Sequence, residues 1–156
     1  MSARRARAGS RRERAGGTPA PRIGISPARL IADAEKARAQ AYAPYSKFKV
    51  GAALLTRGGR IVHGCNVENA SFGLSICAER NAVWKAVSEG ERDFVAVAVT
   101  AGRAGGASPC GACRQVLHEF APGLVVYWRD GEGRIVERTI GDLLREPFVW
   151  PRRRGK

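Results

Sequence analysis

The stretch "SICAERNA", residues 75–82, sets a thiol, a carboxylate and a guanidinium within four positions, on Cys77, Glu79 and Arg80. Thirty residues past Arg80, "SPCGACRQ" adds two more thiols, Cys110 and Cys113, in a C-x-x-C pair. A solvated helix face accounts for the charges but not the cysteine, and a buried helix does the reverse. A reactive or metal-binding site accounts for all of them. On its own, C-x-x-C serves equally as a redox centre or as half of a structural zinc site. Both segments read as helix starts, where exposed N–H groups and the helix dipole favour thiolates. The three sulfurs can therefore converge where two helices begin. A structural zinc site is closed by four protein ligands, whereas a catalytic one holds three and leaves a position for water. Of the other candidates, Cys65 reads as a small hydrophobe on a strand, and His63 and His118 fall in no recognisable zinc spacing.

Three thiolates on Zn²⁺ leave a net negative charge and a poorer Lewis acid. Arg80 and Arg114 directly follow the two ligand segments and are placed to donate to the sulfurs, which would restore electrophilicity. Surface ion pairing is the plainer alternative for both. Glu79 stands two positions from Cys77, near enough to reach a metal-bound water without ligating the metal. A carboxylate there can accept the water's proton and return it to a leaving group.

The elements that must position these groups follow from the pattern around them. Ser26 as N-cap and Pro27 at the first helical position open a helix through Leu30, Ile31, Ala34 and Ala41. "PYSK" breaks it, "FKVGAALLT" and "RIVHGCNVE" read as a hairpin around "RGG", and a second helix spans about 76–89. "FVAVAVTA" is a buried strand, 111–120 a third helix, "LVVYWR" and "RIVERTI" two more strands, and "GDLLREPF" a short helical ending. The order α-β-β-α-β-α-β-β predicts a three-layer α/β/α fold on one mixed sheet of about five strands.

A net charge of +13 suggests a nucleic-acid partner until it is divided along the chain. Residues 1–22 carry +6 and residues 152–156 carry +4, leaving only +3 on the 129 residues between them. Both runs are poor in large apolar groups and are expected to be disordered. The expected organisation is a basic tail over 1–24, one catalytic domain over 25–150, and a second basic tail over 151–156. No apolar run reaches the roughly 20 residues that span a bilayer. No secretory signal is seen either, so a cytoplasmic protein is expected.

The spacing of Cys77, Glu79, Cys110 and Cys113 is that of nucleobase deaminases, in which a ligand-x-Glu segment is followed by Pro-Cys-x-x-Cys. With "YAPYSKFKVGAAL", "GCNVENASFG", "ICAERNAVWKA" and "SPCGACRQVLHEF", residues 25–148 resemble the small, homotetrameric, three-cysteine cytidine deaminases. The resemblance implies hydrolysis of cytidine and 2′-deoxycytidine to the uridines plus ammonia, in pyrimidine salvage. One zinc per subunit would be held by Cys77, Cys110 and Cys113; zinc-bound hydroxide would attack C4, and Glu79 would shuttle the proton. It places ribose contacts on Asn66 and Glu68, an aromatic beside the pyrimidine at Phe48, and base-edge contacts on the main chain around Ala78. Each site would be built at a subunit interface, with Phe148, or its rival Trp150, stacking on a base bound by a neighbour. Phe72 stands where relatives commonly carry Tyr, and Lys49 where they often carry Pro. The ending "LLREPFVW" departs from the usual "LLP" and resembles the blasticidin S deaminases, whereas the intact "NVENASFG" and Phe48 favour ordinary cytidine. Two further readings are base editing within a nucleic acid, which needs a channel the near-neutral centre does not offer, and a structural zinc module binding RNA through its tails. Glu79 argues against the second, because a closed zinc site needs no carboxylate beside it.

Overall fold

The computed structural model describes residues 24–102 and 107–151. The basic tails expected from composition lie outside the described residues, apart from Gly24 and Pro151 at their inner ends. The Ser26 hydroxyl accepts the Arg29 N–H at 3.2 Å and starts α1 (Pro27–Ala39), with Pro27 in the first turn, where a missing N–H loses no hydrogen bond. Leu30, Ile31, Ala34 and Ala37 recur at helical spacing and are buried.

The sheet contains β1 (Val50–Thr56), β2 (Ile61–Cys65), β3 (Phe94–Ala101), β4 (Val125–Arg129) and β5 (Ile135–Thr139), in the order β2-β1-β3-β4-β5. Only the β3–β4 pair is parallel; the others are antiparallel. The remaining helices are α2 (Ala78–Ser88), α3 (Gly111–Phe120) and α4 (Ile140–Leu143), and α3 makes the crossover from β3 to β4. Alternation along the strands divides the core in two. Ala53, Leu55, Val95, Ala98 and Tyr127 pack with α1, while Ala52, Leu54, Val97, Val99 and Val126 pack with α2, α3 and α4. The expected three-layer fold on one mixed five-stranded sheet is the one observed.

Several boundaries differ from those read in the sequence: α4 covers only Ile140–Leu143 rather than "GDLLREPF", and two others bear on the site. The first strand begins at Val50 rather than Phe48, because the Phe48 N–H is taken by the Ser46 hydroxyl at 3.0 Å and its carbonyl by the Asn66 amide at 2.8 Å. The second ends at Cys65, because the chain turns away to pair elsewhere: Val67 bridges Tyr42 on one side and Ile76 on the other.

Gly64 of β2 lies directly under α2. A Cβ there would stand 2.3 Å from the Ala78 carbonyl oxygen and 2.5 Å from the Ala82 nitrogen, both helix backbone atoms that cannot swing aside. The first turn of α2 carries Glu79, so this close approach sets the height of the carboxylate above the sheet. Gly64→Ala is expected to lower stability by about 1–3 kcal/mol, as overpacking does, and to reduce activity by displacing α2. Thermal unfolding and steady-state assay of the same preparation test both effects.

Candidate active site

Both cysteine-bearing helices begin on a cysteine. Cys77 is the N-cap of α2 and Cys110 the N-cap of α3, each in an extended conformation and neither making a side-chain cap hydrogen bond. Their thiols are therefore left free beside unsatisfied N–H groups and the positive ends of two helix dipoles. Cys113, one turn into α3, is buried. The three sulfurs lie within 4.8 Å of one another. The convergence expected from the sequence is present, and Cys65, half-buried with its thiol pushed up by burial, stands outside the cluster.

The cluster holds its protons unequally. The Cys77 thiol is pulled down to about 5, first by the hydrogen bond from Cys113 and then by the Arg80 guanidinium, against the cost of burial. Cys113 is pushed in the opposite direction by its bond to Cys77, by burial and by the nearby Glu79 charge. A tetrahedral zinc with Zn–S bonds of about 2.3 Å sets its sulfurs about 3.8 Å apart. Three mutually close cysteines, with a fourth side open to a cavity, fit such an ion.

That cavity, about 720 Å³, is lined by Cys77, Cys110 and Glu79 at its floor and by Phe48, Asn66, Glu68 and Phe72 among its walls. Its size is ordinary for a small-molecule site. Glu79 is only 4% exposed, and burial is the main cause that raises its carboxyl above the usual range, followed among the raising influences by the Cys77 charge. Ala78 is fully buried at the start of α2, between the cap and Glu79.

Arg80, three residues on from Cys77 and so on the same side of the helix, donates from Nη2 to the Cys77 sulfur at 3.3 Å. Its guanidinium also sits 5.8 Å from the centre of the Trp84 ring. Arg114 does not play the matching part. In place of the expected sulfur contact, it donates to the Pro109 carbonyl at 2.8 Å, the Leu143 carbonyl at 3.0 Å and the Ser108 hydroxyl at 3.1 Å. Two backbone carbonyls without other partners, one at the end of a helix, claim its donors.

A polar wall stands opposite. Glu68 accepts the N–H of Tyr45 at 2.9 Å, the N–H of Ser46 at 3.2 Å, and the Ser46 hydroxyl. These bonds hold its carboxyl below the usual range, the hydroxyl first among them. Asn66 accepts the Val50 N–H at 2.8 Å and donates to the Phe48 carbonyl. A carboxylate offers about four lone-pair positions and an amide four hydrogen bonds, so each keeps capacity for a ligand. Val67 aligns this wall with the cysteine segment, exchanging N–H···O bonds of 3.1 and 3.0 Å with Ile76. Sequence reading named no role for Tyr45 and Ser46, although "YAPYSKFKVGAAL" was among the motifs carrying the resemblance. It also missed Ser108 and Ala107, for which the sequence carries no signal. Phe148 and Trp150 do not line this cavity; both are exposed and meet edge to face, with centroids 6.3 Å apart.

The fold and this site define a zinc-binding α/β domain of the deaminase class. The sequence pattern of the "Cytidine and deoxycytidylate deaminase zinc-binding region" matches residues 26–129. A cytidine deaminase of Sporosarcina psychrophila is 54% identical over 121 residues, covering 77% of this chain and 89% of that protein. One from Halalkalibacterium halodurans is 52% identical, covering 77% and 92%. The crystal structure of a cytidine deaminase from Burkholderia pseudomallei superposes with a TM-score of 0.76 at 49% identity, covering 80% of this chain and all of that one. The chain belongs to the cytidine and deoxycytidylate deaminase family, and zinc is its metal, with Cys77, Cys110 and Cys113 positioned to hold it.

Because Arg80 donates to a ligand sulfur, Arg80→Ala is expected to weaken zinc binding about 10- to 100-fold with the secondary structure intact. Competition against a chromophoric chelator, alongside circular dichroism, measures this.

Proposed function

We propose that this protein hydrolyses cytidine and 2′-deoxycytidine to the corresponding uridines and ammonia. The observation that carries the reading is Glu79, a buried carboxyl facing the cavity beside three mutually close cysteines. Zinc at those cysteines supplies the Lewis acidity that makes water nucleophilic near neutral pH. Glu79 accepts the proton of the attacking water and delivers it to N3 of the pyrimidine. It then takes the proton of the hydroxyl added at C4 and passes it to the amino group, whose C–N bond breaks to release ammonia while the C4 oxygen stays as the carbonyl. A carboxyl raised above its ordinary range is suited to both receiving and returning a proton. Burial in the floor of the cavity keeps bulk water from competing for it.

Phe48 faces the pyrimidine, and the main chain around Ala78 reads its edge. Asn66 and Glu68 take the sugar hydroxyls with the bonding capacity their internal partners leave free, already oriented before the substrate arrives. Arg80 withdraws charge from the Cys77 sulfur and keeps the metal electrophilic. Residues 25–150 form the catalytic unit. Its cavity is completed in a homotetramer, where Phe148 of one copy reaches the nucleoside held by another. The exposed apolar rim of Tyr45, Phe72 and Leu74 around the cavity supports this assembly. Among the described residues no helix is long and apolar enough to cross a membrane, which accords with a cytoplasmic enzyme.

Glu79→Ala is expected to retain zinc and fold while turnover falls about 10²- to 10⁴-fold, the usual contribution of a general acid–base group. The ultraviolet absorbance of cytidine, followed with both proteins at equal measured zinc, tests this. An unchanged cytosine band with zinc-loaded wild type would overturn the proposed activity.

A further inference from the structure

Beyond Leu144 the chain runs to Pro151 without helix or strand. Among the described residues, only one side chain ties this stretch down by hydrogen bonds. Gln115 donates from Nε2 to the Phe148 carbonyl at 2.8 Å and accepts the Phe148 N–H through Oε1 at 3.0 Å. Both bonds fall on a single residue, as in a β-bridge, so they restrain its two backbone dihedrals and the direction in which its side chain leaves. The ring so held is 65% exposed, and its neighbours Val149 and Trp150 are 63% and 77% exposed. Ordering an aromatic residue in water gains nothing by itself. It reduces the entropy lost when that ring later enters an apolar site.

The placement of the clamp is also informative. Gln115 lies two residues after Cys113 on α3. Arg114, between them, joins Pro109 and Ser108 to Leu143, at the entry to the same segment. One turn of helix thus carries a cysteine of the metal cluster and both ties to the C-terminal stretch. The aromatic end is referenced to the metal site rather than to the sheet.

We infer that Gln115 is a positioning residue for substrate binding: its amide fixes the Phe148 backbone so that the ring is presented in one orientation to the nucleoside cavity of a second copy of this chain. The inference rests on the proposal that cavities are shared between copies, and the test separates the two. Gln115→Met keeps the side-chain volume and removes both bonds; Phe148→Ala removes the ring. Each full-length, zinc-loaded variant is compared with wild type for kcat and KM on cytidine, zinc content, assembly size and hydrogen exchange in residues 145–151. For Gln115→Met, exchange in that stretch should accelerate and KM rise about 3- to 10-fold, with kcat within about twofold, the pattern of lost uniform binding. Zinc content and assembly size should hold. An unchanged KM in Gln115→Met while Phe148→Ala raises it would overturn the role of Gln115 alone. An unchanged KM in Phe148→Ala would overturn the shared cavity itself. A joint fall of kcat and zinc in Gln115→Met would make Gln115 a structural support of α3 and overturn the positioning role.

Discussion

Everything in this molecule is arranged around three sulfurs held within 4.8 Å of one another. The hydrogen bond between Cys113 and Cys77 stabilises the Cys77 thiolate and holds the proton on Cys113, so these two thiols move in opposite directions. Two features make the cluster tolerable. Cys77 and Cys110 occupy the capping positions of two helices, so their sulfurs sit at the positive ends of two helix dipoles. Arg80 then adds a full positive charge against one of them. Burial first, and then the Cys77 charge, raises the Glu79 carboxyl, so the constraint that creates the metal site also tunes the carboxyl beside it.

Bringing two helix starts together requires α2 to lie close to the sheet, and the residues between them are small. Ala52, Ala78, Ala82 and Ala86 are fully buried at this contact, and Gly64 allows the helix backbone to approach more closely than any side chain would. Larger residues would still make a hydrophobic layer, but they would lift Glu79 away from the cavity floor. Packing density here serves position as much as stability.

The opposite wall is built on another principle. Glu68 and Asn66 are held by backbone N–H and C=O groups of Tyr45, Ser46, Phe48 and Val50, where the chain is only entering β1. Groups that would otherwise need water are satisfied by two side chains, and those side chains are thereby fixed facing the cavity. Arg114 and Gln115 repeat the device at the other end of the chain, satisfying carbonyls near Cys110 and in the C-terminal stretch.

Much of this was legible in the residues themselves. Capping by Ser26 and Pro27, the apolar stretch of β1 before its "RGG" turn and the continuous apolar run of β3 are local patterns, and the elements appear where those patterns lie. The cysteine spacing pointed to the metal cluster, and the carboxylate beside it to the buried Glu79 at the same cavity, because the chemistry needs those residue types near helix starts. The roles of Arg80 and Arg114 could not be told apart in this way, since each simply follows a ligand segment. Only the fold decided that one meets a sulfur and the other a set of carbonyls. The same holds for Ser46 gripping Glu68 and Gln115 gripping Phe148. Helix starts and apolar strand runs are encoded by neighbours a few residues apart, so sequence alone determined them. A long polar side chain bonds to whichever unsatisfied backbone group the folded chain brings within reach, and that is settled only when distant segments meet.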